Sequence, residues 1–328
     1  MRAYRMQEID GRLHPQLQDV PRPEPGAGQL LLRVRAAGLN RGEFIAGHGL
    51  HARGGGARPV GTEAAGEVVA VGPGLEGWRI GDRAMGRCAG AFADFALLDI
   101  REAIEVPPAL DWQQAAAIPL TFMVVYDMLV LQGRLRAGET LLVAGVTSGV
   151  GAAALMAAKA MGAKVIGTSG SAAKLARLQA EGLDLGLCTR GPDFLDAVLQ
   201  ATEGRGADLA IDTVGGSVFA ECVRALGFQG RLAMVGYVDG VLRAELDLEA
   251  LHSKRLHLFG VSNKLRSPQQ RAEPVPGFKA DWLPLFASGR LRPIVDQVVP
   301  FEQLAEAKAS MEAGKHLGKI VLAGSADA

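Results

Sequence analysis

From Leu141 to Ser171 the chain reads LLVAGVTSGVGAAALMAAKAMGAKVIGTSGS, and no charged residue occurs between Thr140 and Ala158. An uncharged run of that length approaches what a bilayer span requires. Gly145, Thr147, Ser148, Gly149 and Gly151 would put a polar, flexible turn near mid-membrane, however, and no basic cluster flanks the run. Four or five apolar residues, a Gly/Ser turn and small residues leading to Lys159 instead read as strand, tight turn and helix. The same alternation continues through TLLVAG, AKVIGT, LDLGLC, ADLAID, GRLAMVG and LHLFGV, with Ala-rich helical text between them. Six such strands call for an α/β fold in which a doubly wound parallel sheet is covered by helices on both faces.

The regions on either side have a different texture. Up to about residue 110, short β-like runs (QLLLRVRAAG, AAGEVVAVG, AFADFALL) alternate with Gly/Pro loops such as RPEPGAGQ and HARGGGARP. After residue 262 come RSPQQRAEPVPG, with no assigned element, then FKADWLPLFASG (helical), PIVDQVVP (β-like), FEQLAEAKASMEAG (helical) and GKIVLAG (β-like). The expected division is a β-rich domain of residues 1–121 and 263–328, with the tail packing back on the N-terminal part, and a nucleotide domain of residues 122–262. At 328 residues, each can bury its own core. The 35 basic and 35 acidic residues balance without a long like-charge run, leaving no electrostatic footprint for nucleic acid or anionic lipid. Cys88, Cys188 and Cys222 are odd in number and far apart, as free thiols in a reducing compartment would be. The first residues carry no apolar stretch of signal-peptide length, so the expected location is cytoplasmic.

Val146 to Gly151 occupy the place of the G-x-G-x-x-G fingerprint, with Val146 and Ser148 replacing two glycines. Gly149 would allow close approach of a pyrophosphate, Gly151 would let the helix lie near the sheet, and the helix N-terminus supplies free N–H groups. The second strand then discriminates between dinucleotides. An NAD site ends it with an acid that accepts from the adenosine ribose hydroxyls. Here the strand ends Gly167-Thr168-Ser169-Gly170-Ser171; Ser169 can donate to a 2′-phosphate, and Lys174 and Arg190 can supply charge. NADPH is therefore favoured over NADH. No Cys/His spacing of a zinc site is present, and His48 and His51 sit beside a Gly/Arg-rich loop, so no metal site is expected. Ser148 lacks the G-x-S-x-G of a nucleophile elbow.

Several segments, in order, resemble the medium-chain dehydrogenase/reductase superfamily: AAGLNRGEF (36–44), GTEAAGEVVAVGPGLEGWRIGDRAMG (61–86), AAAIPLTFMVVYDML (115–129), VAGVTSGVG (143–151), GRGADLAIDTVGG (204–216) and HLGKIVL (316–322). Within it the chain is most similar to the zinc-independent quinone oxidoreductase, or zeta-crystallin-like, branch. Zinc-dependent members carry a cysteine where this chain has Leu39-Asn40, a histidine where it has Thr62, and a four-cysteine lobe that it lacks. The resemblance implies a Rossmann cofactor domain with a GroES-like catalytic domain, and metal-free hydride transfer from NADPH to a small quinone or enone.

Residue by residue, it implies that Asn40 lies near the nicotinamide, contacting the ribose or polarising a substrate oxygen, with backbone capping as the alternative. Thr121 would meet the nicotinamide amide, or cap a helix. Thr147, Ser148, Gly149 and Val150 would form the pyrophosphate turn, and Ser169 and Lys174 the adenosine-phosphate contacts, while Tyr237, Phe259, Val261 and Lys319 would line the cofactor cleft or serve as core and surface. Ile45 and His51 replace tyrosines of the branch, which makes His51 a candidate proton donor. Cys188-Thr189-Arg190 stands where the branch carries another tyrosine. The branch further implies a homodimer paired at the edge strand LHLFGV. A 2-enoyl thioester reductase, a non-catalytic NADPH-binding protein and a metal-dependent alcohol dehydrogenase are the rival readings.

Overall fold

A computed structural model describes residues 1–9, 12–45 and 58–325, and divides into two compact units, Met1–Met123 with Asn263–Ala328, and Val124–Ser262.

The first unit begins with strands β1 (Arg2–Ile9), β2 (Arg12–Asp19), β3 (Gln29–Gly38), β4 (Arg58–Pro59), β5 (Ala64–Val71), β6 (Arg83–Gly86), β7 (Phe95–Asp99) and β8 (Ile104–Glu105). Strand β3 organises it. The apolar run of QLLLRVRAAG buries Leu30, Leu31, Leu32, Val34, Ala36 and Ala37, so both faces of the strand are covered rather than one. It pairs antiparallel with β5 along most of its length and with β7 over Gln29–Arg33. Helix α1 (Trp112–Ala116), capped by Asp111, and helix α2 (Thr121–Tyr126) follow.

The second unit holds β9 (Thr140–Ala144), β10 (Lys164–Ser169), β11 (Leu185–Cys188), β12 (Ala207–Asp212), β13 (Leu226–Met234) and β14 (His257–Gly260). These are the six strands expected from the sequence, all parallel, in the order β11-β10-β9-β12-β13-β14. Helices α3 (Gly149–Ala160), α4 (Ala172–Ala180), α5 (Leu195–Ala201), α6 (Gly216–Arg224) and α7 (Leu248–Ser253) lie between them in the chain. Strand direction of travel reverses at β9, the switch point outside whose carboxyl ends open α/β sheets bind ligands.

Beyond Ser262 the chain belongs again to the first unit. RSPQQRAEPVPG contains a helix, α8 (Pro268–Ala272): Ser267 accepts from Gln270 N–H, the Gln270 side chain answers in a capping box, and Pro268 occupies the first turn, where no N–H is needed. Helices α9 (Val275–Asp281) and α10 (Leu283–Ala287) break at Trp282, and Phe122, Phe278, Trp282 and Phe286 meet there edge-to-face or tilted, Phe122 and Phe286 centred 5.1 Å apart. After β15 (Val295–Val299) and α11 (Leu304–Glu312), β16 (Lys319–Ala323) pairs antiparallel with Ala36–Gly38 of β3. Among the described residues, no helix is long and apolar enough to cross a membrane.

The turn after β9 starts one residue earlier than the fingerprint reading places it. Gly145 takes the left-handed conformation (φ +80°) and Ser148 caps α3, so the turn runs Gly145-x-x-Ser148-x-x-Gly151. Ser148 Oγ donates to Gly145 C=O at 2.9 Å and accepts from Gly151 N–H at 3.0 Å, which explains a serine in place of the second glycine. A Cβ on Gly151 would stand 2.4 Å from the Gly145 carbonyl oxygen. Gly151→Ala is therefore expected to destabilise the protein by roughly 1–3 kcal/mol, read as a lower thermal unfolding midpoint. An unchanged midpoint would show that the turn has room to relax.

Candidate active site

In the nucleotide unit Thr147 to Val150 follow β9 and Ser169 ends β10, whereas Tyr237, Phe259 and Val261 lie at β13 and β14. Thr147 Oγ1 lies 3.1 Å from Ser169 Oγ, and Ser169 Oγ also accepts from Ser171 N–H at 3.3 Å. Ser171 then caps α4, whose first turn holds half-buried Lys174. The exposed Arg190, just beyond β11, lays its guanidinium over the Cα of Gly170. Serine hydroxyls and an arginine thus lie at the end of β10, Lys174 sits in the first turn of the helix that follows, and no carboxylate stands at the position an NAD site would use. Gly149 and Val150 form the first residues of α3 and contribute its N-terminal N–H groups. Tyr237 is 53% exposed, Phe259 is half-buried in β14, and Val261 is buried with its N–H on Met234 C=O.

In the first unit a second convergence is built from four distant segments. Pairing of β16 with β3 runs Val321 to Gly38, and Leu39 N–H donates to Ile320 C=O, which carries Lys319 past the end of β3 to Asn40. The Lys319 ammonium, 5% exposed, donates to Asn40 Oδ1 at 2.6 Å and Thr121 Oγ1 at 2.9 Å and pairs with Glu63 Oε1 at 2.5 Å. Glu63, fully buried, also accepts from Asn40 Nδ2 at 2.9 Å, while its other oxygen takes Leu120 N–H at 2.7 Å. Glu43 accepts from Thr62 Oγ1 at 2.5 Å and from Asn40 N–H at 2.8 Å. Asn40, Thr121 and Lys319, predicted separately, therefore share one network; Glu43 and Glu63, which the sequence reading passed over, complete it. The Ser/Thr/Asn-x-x-Glu spacing of Asn40 and Glu43 was the available signal, because it is a capping box around the short helical turn Arg41–Phe44. His51 lies outside the described residues.

Two carboxylates and one ammonium leave an excess negative charge in a dry place. Burial pushes the Glu43 carboxyl up to about 7, against the opposing pull of Thr62, the Asn40 N–H and Lys319. A protonated Glu43 makes the network neutral. In the other unit Asp212, at the end of β12, is pushed up to about 6 by burial; one oxygen takes the N–H groups of Val214 and Gly215, and the other has no partner.

The donor set does not suit zinc. Leu39-Asn40 and Thr62 offer no thiolate or imidazole, Asn40 and Thr62 are committed to Lys319, Glu63 and Glu43, and the described residues contain no group of three or more His, Cys, Asp or Glu able to hold a metal.

The raised Glu43 carboxyl has a definite consequence for stability. Folded protein holds this proton up to about pH 7, whereas the unfolded chain releases it near 4.3. The contribution of Glu43 is thus full at low pH and is lost as pH rises through that window, by on the order of 3 kcal/mol. Glu43→Gln should flatten the fall in stability between about pH 4.3 and 7 in denaturant titrations. Parallel wild-type and variant curves would mean that Glu43 is ionised throughout.

Sequence families match this chain in the same order as its parts. The alcohol dehydrogenase GroES-like domain matches residues 26–108 and the zinc-binding dehydrogenase family residues 149–272. The synaptic vesicle membrane protein VAT-1 homolog of Homo sapiens is 30% identical over 92% of this chain and 80% of its own length. Other relatives include polyketide synthases, of whose length this chain spans only 12–15%. Among solved structures, mycobacterial Rv1454c complexed with NADPH superposes with a TM-score of 0.87 at 25% identity, covering 98% of this chain and 99% of that one. A quinone oxidoreductase of Pseudomonas syringae pv. tomato DC3000 gives 0.86 at 25% identity, covering 98% and 100%. With a GroES-like unit, a parallel nucleotide sheet and a relative at 30% identity across most of both chains, this protein belongs to the medium-chain dehydrogenase/reductase family of oxidoreductases, on the side of its zinc-independent quinone oxidoreductase-like branch.

Proposed function

We propose that the protein is a zinc-independent, NADPH-dependent oxidoreductase that reduces a quinone or an activated alkene. The observation that carries the cofactor preference is the end of β10, where Ser169 replaces the acid and Arg190 lies over Gly170. The likeness to a protein solved with NADPH and to a quinone oxidoreductase supports the same reading. When bound, NADPH supplies the hydride.

The chain's own residues do the rest. Thr147, Ser148, Gly149 and Val150 hold the pyrophosphate at the start of α3, and Ser169, Lys174 and Arg190 meet the 2′-phosphate. Tyr237, Phe259 and Val261 flank the remainder of the cofactor. Negative charge that builds on the acceptor oxygen needs a hydrogen-bond donor already in position. Asn40 is suited to this: one Nδ2–H is on Glu63, the other has only long contacts, and Lys319 on Oδ1 fixes which way the amide points. Lys319 is accordingly a positioning residue, holding Asn40 and Thr121 together. A quinone is protonated on oxygen and needs no fixed acid; an alkene needs a proton at its α-carbon, for which His51 or water is the candidate. The edge of β14 away from β13 pairs with no strand among the described residues, which suits the expected homodimer.

The test is oxidation of NADPH and NADH in chelator-treated buffer against benzoquinones, naphthoquinones, small enones, crotonyl thioesters and aldehydes. Expected are turnover of quinones or enones, a preference for NADPH, and an at least roughly tenfold loss of that preference in Arg190→Ala. Turnover of thioesters alone would favour the enoyl thioester reductase reading, to which the polyketide synthase relatives point. Tight NADPH binding without any turnover would make the protein a binding protein.

A further inference from the structure

Beside the Asn40 network, two arginines of the first unit, Arg87 and Arg271, share a single carboxylate, Glu102. Arg87 follows β6 directly, and the pairing of β6 with β5 sets Gly86 opposite Ala64. One step further, Cys88 N–H donates to Thr62 C=O at 3.1 Å, so Arg87 stands next to the Thr62-Glu63 step of the network. Its guanidinium is mostly buried, with 18% of the side chain exposed, and its one ion pair among the described residues is a 3.6 Å contact to Glu102. Arg271 of α8 reaches the other oxygen of Glu102 at only 3.7 Å, and its buried Nε has no hydrogen-bond partner. The Arg271 guanidinium also donates to Arg266 C=O, which draws the two arginines together.

Other carboxylates in this part of the unit have closer partners of their own. Glu63 is committed to Lys319 and Asn40, and Asp99 is held by its own neighbour Arg101 through two hydrogen bonds. Glu102 alone serves both Arg87 and Arg271, at distances too long for good hydrogen bonds. Burial, with Arg271 and Arg266 close by, lowers the Arg87 pKa in spite of Glu102. A mostly buried guanidinium is tolerated when a planar anion takes its fork of donors.

We propose that Arg87 and Arg271, supported by Arg266, form a subsite for a carboxylate carried by the acceptor itself, so that the preferred substrate is an acidic quinone or enone rather than a neutral one. This rests on the reductase reading. A carboxylate fits better than the phosphate of a pantetheine arm, because Arg87 adjoins the Thr62-Glu63 step itself, whereas that phosphate lies far along the arm from the reacting thioester.

The experiment compares 4-oxo-2-pentenoate with its methyl ester, two enones that differ in charge. Wild-type kcat/KM should favour the acid by at least about tenfold, and Arg87→Gln and Arg271→Gln, made separately, should each collapse that ratio. Equal use of acid and ester by the wild type, or a ratio unchanged in both variants, overturns the proposal. Calorimetric titration of the acid into NADPH-loaded wild type reads the subsite without turnover: binding of acid but not ester supports it, and no binding overturns it. Oxidation of NADPH by neutral quinones in that event would leave the reductase reading standing, whereas failure of every acceptor would remove that reading while the titration still decides the subsite.

Discussion

The ion pair between Glu63 and Lys319 is the contact on which the candidate active site depends. Taking two charges out of water is costly, and the attraction between them offsets that cost only if their remaining hydrogen-bonding capacity is also met. Here it is met. Lys319 directs its ammonium at Glu63, Asn40 and Thr121, and Glu63 answers Asn40 and the Leu120 N–H with its two oxygens. Four segments, around residues 40, 63, 120 and 319, are fixed to one another through a few side-chain atoms.

That arrangement follows from backbone pairing. Strand β16 joins β3 at Ala36–Gly38, and this register alone decides that Lys319 emerges beside Asn40. Strand β5 begins one residue after Glu63, and its pairing with β3 sets Ala64 opposite Ala37. A shift of either strand by one residue would turn its side chain to the opposite face. The apolar burial of β3 on both faces therefore positions polar residues that lie just beyond its end. In the nucleotide unit the same economy operates: the caps and hydroxyl contacts of Ser148, Ser169 and Ser171 build the turn and the start of the following helix.

Much of this was legible in the sequence, and for physical reasons. The six strands of the nucleotide unit are short apolar runs bounded by Gly and Ser, so their pattern survives without knowledge of partners. QLLLRVRAAG matches β3 residue for residue because its turn-forming flanks mark both ends. Helix α8 was harder to see: its stretch was given no element, although Ser267, Pro268 and Gln270 form a regular helix start. Glu63 could not be read at all, because the cation that lets it stay ionised when buried, Lys319, comes from the far end of the chain. Arg87 is of the same kind, since Glu102 and Arg271 approach it from separate elements. Local chemistry announces itself in sequence; a site assembled from remote charges does not.

The most direct test of the account is a double-mutant cycle of Glu63→Gln and Lys319→Met, read by denaturant unfolding and by NADPH-linked turnover of a quinone. If the pair holds the site, Lys319→Met alone leaves a buried carboxylate uncompensated and costs about 3–5 kcal/mol, and the double variant loses clearly less than the sum of the single ones. Additive losses, with turnover unchanged in Lys319→Met, would contradict the view that this ion pair positions Asn40 and Thr121.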